Sequence, residues 1–423
     1  MSPSLSDGFT ERFISFALAQ PAKFGRENFA GDPIVEIFVN TVRVSFSIEV
    51  DVYVAWECPP DVVILTPPSG NVLIRSERLD TLLVEFHRLR EILPTFGGEL
   101  AREVPTAQIY RWMAEFLIGY RNSSLALDAL ELRPDLTGLQ LGIWNPFRDE
   151  TLASIPQAPR IALQCFSMAH EIGHLRYPDD RSLDLYYEID GLSVMSHLDY
   201  DARQNPDGGV EAIRKFATHF IDAPQLISEM RADLFALECV GEFLSETGSL
   251  APETAVALAL SACEALIFVY HCKEICRLIA QLASGSMERV DYDRMRLADQ
   301  IAWVGRARAI GRRAGLLLAR LEGGDERNFA RNVPRIDAII RRDETARLLL
   351  EQAMGMCAEA LADAATAGLR PPGHDERLRD KADLRLELFY ILIAFGCPGG
   401  VDVIDYLRNA DSSFHRLEDR TTS

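Results

Sequence analysis

The sequence predicts an α+β fold, with an N-terminal β-rich region over residues 1–100, a core unit over 101–250 and an all-helical region over 251–423. Three observations carry that division. Between residues 34 and 75, apolar side chains alternate with polar or charged ones, which is the period of half-buried strands. From about Pro252 onward the chain reads as long helical segments punctuated by glycine and proline. Between these regions lie His170-Glu171-Ile172-Gly173-His174 and Glu229-Met230-Arg231-Ala232-Asp233, each with titratable side chains one helical turn apart.

In chain order, Ile34, Val35, Ile37 and Val39 lead into Val42, Val44, Phe46, Ile48, Val50, Val52 and Val54 as strand. Pro59-Pro60 and Pro67-Pro68 break the run, with Val62 to Leu65 as a further short strand. Arg78 to Leu93 reads as a helix ended by Pro94 and the Gly97-Gly98 pair, and Ala107 to Tyr120 as an amphipathic helix. Leu139 to Trp144 is a short apolar strand bounded by Asn145-Pro146. Asp222 is placed to N-cap the helix that carries Glu229, with Pro224 in its first turn. The last region is read as helices over Glu253 to Ala283, Met287 to Leu321, Asp343 to Ala367 and Lys381 to Phe395. Gly323-Gly324, Pro371-Pro372-Gly373 and Pro398-Gly399-Gly400 separate its segments, and no repeat of fixed period is visible.

A chain of 423 residues can bury a substantial core and hold two or three structural units. Met1 to Phe9 has neither a basic n-region nor an apolar core, so no secretory signal is expected there. Eight cysteines without regular spacing read as reduced thiols, and a cytoplasmic location is expected. Only four lysines accompany a large excess of arginine, a usage associated with GC-rich bacterial genomes. The formal charge of −19 disfavours general nucleic-acid or anionic-lipid binding. Arg306, Arg308, Arg312, Arg313 and Arg320 form a local basic stretch, read as the solvated face of a helix. Ala255 to His271 is almost wholly apolar but short for a span of about 20 residues. Glu264 also interrupts it, so it reads as a buried helix and no membrane insertion is expected.

The two motifs carry the chemistry. Histidines at i and i+4 project from one helix face, so His170 and His174 can ligate one Zn²⁺ while Glu171 is held beside it as a base for a water molecule. A catalytic zinc needs a third protein ligand and one open position. Glu229 is the candidate ligand. Asp233, one turn further, is placed to accept a hydrogen bond from the outward nitrogen of a ligating histidine and fix its tautomer.

On these residues the chain resembles the gluzincin metallopeptidases, in which an H-E-x-x-H helix is followed by a helix bearing a glutamate ligand. The form E-x-x-A-D from Glu229 to Asp233 is most similar to the M48-type branch. The contexts Ser167-Met168-Ala169 and Leu234-Phe235-Ala236 also resemble the ImmA/IrrE-type and Lit-type intracellular proteases. The resemblance spans roughly residues 161 to 240 and leaves the subfamily open. It implies a zincin-like metallopeptidase core and hydrolysis of peptide bonds in a protein or peptide substrate. It also implies an edge strand beside the zinc, for which Leu139 to Asn145 is the candidate, with an ordinary core strand as the alternative.

Enzymes of this kind add a tyrosine or histidine donor to the oxyanion. His197 leads the candidates, with Tyr200, His219, Tyr186 and Tyr187 beside it, and a structural or surface role is the alternative for each. Asp199 and Asp201 read as a turn rather than a cation site. His271, Cys272, Cys276 and Cys263 form a second constellation, read as core packing, and Cys239 is expected to be buried as well.

The expectation is therefore a soluble, intracellular zinc metalloendopeptidase with Glu171 as general base and a narrow regulatory or defence-related substrate. The alternative is a binding module with structural zinc, whose helical half carries partner or oligomer contacts. A nucleic-acid-linked regulator is a third reading, weakened by the −19 charge and the lack of a recognisable helix-turn-helix.

Overall fold

The computed structural model describes residues 24–26, 33–55, 60–66, 70–120, 122–134, 157–176, 223–247, 249–324, 329–342 and 344–367. Helices dominate them, beside one small sheet. The first elements are strand β1 (Phe24–Arg26), helix α1 (Pro33–Phe46), and strands β2 (Val50–Ala55), β3 (Val62–Leu65) and β4 (Asn71–Ser76). The helices that follow are α2 (Glu77–Ile92), α3 (Leu100–Gly119), α4 (Ser123–Leu132), α5 (Gln157–Arg176) and α6 (Ala223–Glu246). The last are α7 (Pro252–Ala283), α8 (Arg289–Leu321), α9 (Phe329–Arg342) and α10 (Glu344–Thr366).

Residues 33–46 are a helix, which overturns the strand expected over Ile34 to Phe46. Val35, Phe38, Val39 and Val42 are buried, a spacing that follows one helix face, whereas Val44 is 81% exposed. The alternation of β-branched residues is therefore overridden by packing of the helical stripe. The strand reading holds from Val50, where the sheet begins. Its order is β1-β2-β4-β3. β2 and β4 are parallel, with Val50 opposite Asn71 and Ala55 opposite Ser76. β1 and β3 flank them in antiparallel orientation, β3 with Val62 opposite Arg75. This places β3 at one edge of the sheet, against α5.

Helices α2, α3, α7, α8 and α10 form where the periodicity places them, with ends displaced by a few residues. The largest displacement is at α3, which starts at Leu100 rather than Ala107 and carries Pro105 within it. Strand β1 and helices α4 and α9 add to what was expected; Pro334 inside α9 is a residue that masks a helix from a sequence reading. Leu139 to Asn145, Lys381 to Phe395 and Asp222 lie outside the described residues.

One cluster of buried side chains runs from Val35 to Ala362 and draws on residues from all three regions of the chain. Helix α7 is its axis, packing against α2, α3, α5, α6, α8 and α10. It is long and apolar enough to cross a membrane, but 78% of its most apolar stretch is buried within the protein. Glu264, which interrupts its apolar run, pairs with Arg90 on α2. Helices α5 and α6 pack along each other and against this axis, bringing the two motifs together.

Candidate metal centre

Helix α5 is buried continuously from Cys165 to Gly173, so the histidine motif enters the core instead of lying on a surface. Close approach of α6 is possible because Gly173 faces Ala232: a Cβ at Gly173 would stand 2.8 Å from the Ala232 Cα. Two helices meeting at small residues bring their flanking long side chains into register. Here these are His170, Glu171 and His174 on one side, with Glu229 and Asp233 on the other.

His170 Nε2 lies 3.3 Å from Glu229 Oε2, and His174 Nε2 lies 3.7 Å from Glu229 Oε1. One donor atom from each of the three residues falls within 4.8 Å of the others, so the group could hold a metal ion. Ligand atoms about 2.0–2.2 Å from a tetrahedral ion are separated by roughly 3.3–3.6 Å, close to the observed spacing. His170 Nε2 is buried and faces the Glu229 carboxylate, the side from which a shared ion would be held. Two imidazoles and a carboxylate are a donor set that fits zinc.

Each histidine is also held from behind. His170 Nδ1 lies 2.9 Å from Asp233 Oδ1, and His174 Nδ1 lies 3.3 Å from Ser228 Oγ. The Asp233 carboxylate can only accept, so it favours the His170 tautomer in which Nε2 carries the lone pair, whereas the Ser228 hydroxyl orients His174 and can serve either tautomer. Asp233 thus stands where the sequence placed it; Ser228 was not anticipated.

Two further side chains reach the site from the C-terminal helices. The Tyr270 hydroxyl on α7 donates to Glu171 Oε1 at 3.3 Å, and its ring stands 6.1 Å from the His170 ring. Behind it, Lys273 Nζ lies 5.8 Å from the Tyr270 ring centre and donates to Asp61 Oδ1 at 2.8 Å. Arg306 on α8 donates through Nε to Asp233 Oδ2 at 2.8 Å and through Nη2 to Oδ1 at 3.0 Å. The same Nη2 lies 3.3 Å from Glu229 Oε2.

Arg306 is buried, which corrects its reading as part of a solvated helix face. Trp303, Ile310, Ala314 and Leu317 are buried on α8, and the helical period puts Arg306 on their stripe. That position was the available signal in the sequence. Arg313 and Arg320 do lie at the surface, paired with Glu238 and Glu242 on α6. Tyr270, a polar aromatic within an otherwise apolar helix, carried a weaker signal.

The charges are strongly coupled. Burial pushes the Glu171 carboxyl up to about 7, against the pull of His170 and with the push of Glu229. Burial works against a charged His170, but the Asp233 and Glu229 carboxylates outweigh it and raise the imidazole to about 10. His174 is lowered by burial and by the His170 charge. For Glu229 and Asp233 burial favours the neutral acid; Arg306 and His170 overcome it and hold both well below the usual carboxylate range.

His197, Tyr200, His219, Tyr186, Tyr187, Asp199 and Asp201 lie outside the described residues. Cys263, Cys272, Cys276 and Cys239 are buried, consistent with core packing. His271 pairs through Nδ1 with Asp299 and stacks on Trp303 at 5.3 Å and 8°. Comparisons of the chain with protein-family models, with curated proteins and with solved structures find no match.

Proposed function

We propose that this protein is a zinc-dependent metalloendopeptidase of the gluzincin type, acting within the cytoplasm on a narrow set of protein substrates. The supporting observation is the convergence of His170 Nε2, His174 Nε2 and the Glu229 carboxylate beside a general-base candidate, Glu171. Three protein donors are the complement of a catalytic zinc, whose fourth position takes water or substrate. That favours a catalytic over a purely structural metal.

Zinc bound there would polarise the scissile carbonyl and lower the pKa of a water molecule towards neutrality. Glu171 takes the proton from the attacking water at its carboxylate and delivers it to the departing amine. Tyr270 orients Glu171 through its hydroxyl and stands beside the base, from where that hydroxyl can turn from Glu171 to donate to the oxyanion. Asp233 holds His170 in the tautomer needed, and Ser228 orients the His174 ring. Edge strand β3 packs on α5, and its outer edge has no strand partner among the described residues. Its backbone can pair with an extended substrate.

The test is cleavage of a proteome-derived peptide library by zinc-loaded wild type and by Glu171→Gln, read by mass spectrometry. New termini are expected with the wild type alone, lost on chelation and regained with zinc. No new termini from metal-loaded wild type, or equal cleavage by Glu171→Gln, would overturn the proposal.

A further inference from the structure

We propose that Arg306 is a positioning residue of the metal centre: its guanidinium fixes Asp233 and Glu229 in one arrangement and makes α8 part of the site. The inference rests on His170, His174 and Glu229 being metal ligands. Glu229 and Asp233 stand one turn apart on α6, both facing α5. Like charges at this spacing repel, and burial strengthens the repulsion. A cation serving both must present several donors in a fixed plane, which a guanidinium does and an ammonium does not.

Arg306 meets that requirement. Its fork grips both oxygens of Asp233 at 2.8 and 3.0 Å, and Nη2 also approaches Glu229 Oε2 at 3.3 Å. Through Asp233 Oδ1, 2.9 Å from His170 Nδ1, the same grip sets the plane of one imidazole. One side chain therefore restrains a ligand carboxylate directly and a ligand imidazole at one remove.

Joining α8 to α6 does not by itself need a buried arginine here. Arg313 and Arg320, further along α8, already pair with Glu238 and Glu242 at the protein surface. The buried stripe of α8 is otherwise apolar at Trp303, Ile310, Ala314 and Leu317. A guanidinium on that stripe is costly to bury unless its hydrogen bonds are met, and the carboxylates of the metal centre meet them. The C-terminal helices thus complete the site, Arg306 from α8 and Tyr270 from α7.

The test is zinc affinity by competition with a chromophoric chelator, together with the visible spectrum of the cobalt-loaded protein. It compares wild type, Arg306→Lys, Asp233→Asn, the pair Arg306→Gln with Asp233→Asn, and Arg313→Ala. Both Arg306 variants should bind zinc about 10- to 100-fold more weakly, with an altered cobalt spectrum. Arg313→Ala should leave both unchanged. The pair is read against Asp233→Asn alone, so its further loss of affinity reports on the grip of Arg306 on Glu229 even if Arg306→Lys does not fold. Wild-type affinity and an unchanged spectrum in a folded Arg306 variant would overturn the role of Arg306 and leave the ligand set standing. Wild type that binds no metal would overturn the ligand set itself.

Discussion

Gly173 and Ala232 meet where the two motif helices cross, with the absent Gly173 Cβ lying 2.8 Å from the Ala232 Cα and 3.2 Å from its carbonyl oxygen. The neighbours are backbone atoms, which cannot swing aside as a flexible side chain can. His174 follows Gly173 and Asp233 follows Ala232, so the separation of the helices sets how far the imidazoles stand from Glu229 and Asp233. Gly173→Ala is expected to destabilise the fold by about 1–3 kcal/mol. It should also weaken zinc binding, because the imidazoles and Glu229 are pushed apart. Chemical denaturation and chelator competition check the two effects separately.

Tyr270 approaches Glu171 from α7 with its hydroxyl 3.3 Å from Oε1. Tyr270→Phe removes that donor while keeping the ring that stands near His170. Zinc content and KM should stay near wild type, and kcat should fall on the order of 10²- to 10³-fold, as when an oxyanion donor is removed. Steady-state kinetics on a cleaved peptide decide it; an unchanged kcat would remove Tyr270 from the mechanism.

In the metal-free protein His170 is raised from 6.5 to about 10, with Asp233 and Glu229 outweighing burial. The folded state then holds a proton that the unfolded state releases above about 6.5. Its stabilising contribution is fully present below that pH and is lost as pH rises through about 10. Denaturation of the metal-free protein between pH 6 and 10 should show this decline, and His170→Gln should remove most of it above pH 7, where the raised Glu171 carboxyl no longer contributes. Zinc must displace the same proton. Uptake near pH 7 is therefore expected to release about one proton per chain, measured by calorimetry in buffers of different ionisation enthalpy.

The two halves of the candidate ligand set could be read from the sequence because the spacing within each is local. His170 and His174 share a helix face wherever α5 packs, and so do Glu229 and Asp233. Arg306, Tyr270 and Ser228 depend on how α6, α7 and α8 are rotated against α5, which no local spacing fixes. Arg306 lay closest to legibility, since its period matched Trp303, Ile310 and Leu317; its charge suggested solvent instead. Residues 33–46 misled in the opposite sense. Their alternating valines suit a strand, yet the buried set Val35, Phe38, Val39 and Val42 obeys a helical period.

The most direct measurement is metal content by elemental analysis of wild type and Glu229→Ala, purified side by side and supplied with zinc. About one zinc per wild-type chain is expected, lost or greatly reduced in the variant, because a site of three protein ligands needs each of them. Equal zinc in both proteins would show that Glu229 is not a ligand. No metal in wild type would contradict the account at its centre.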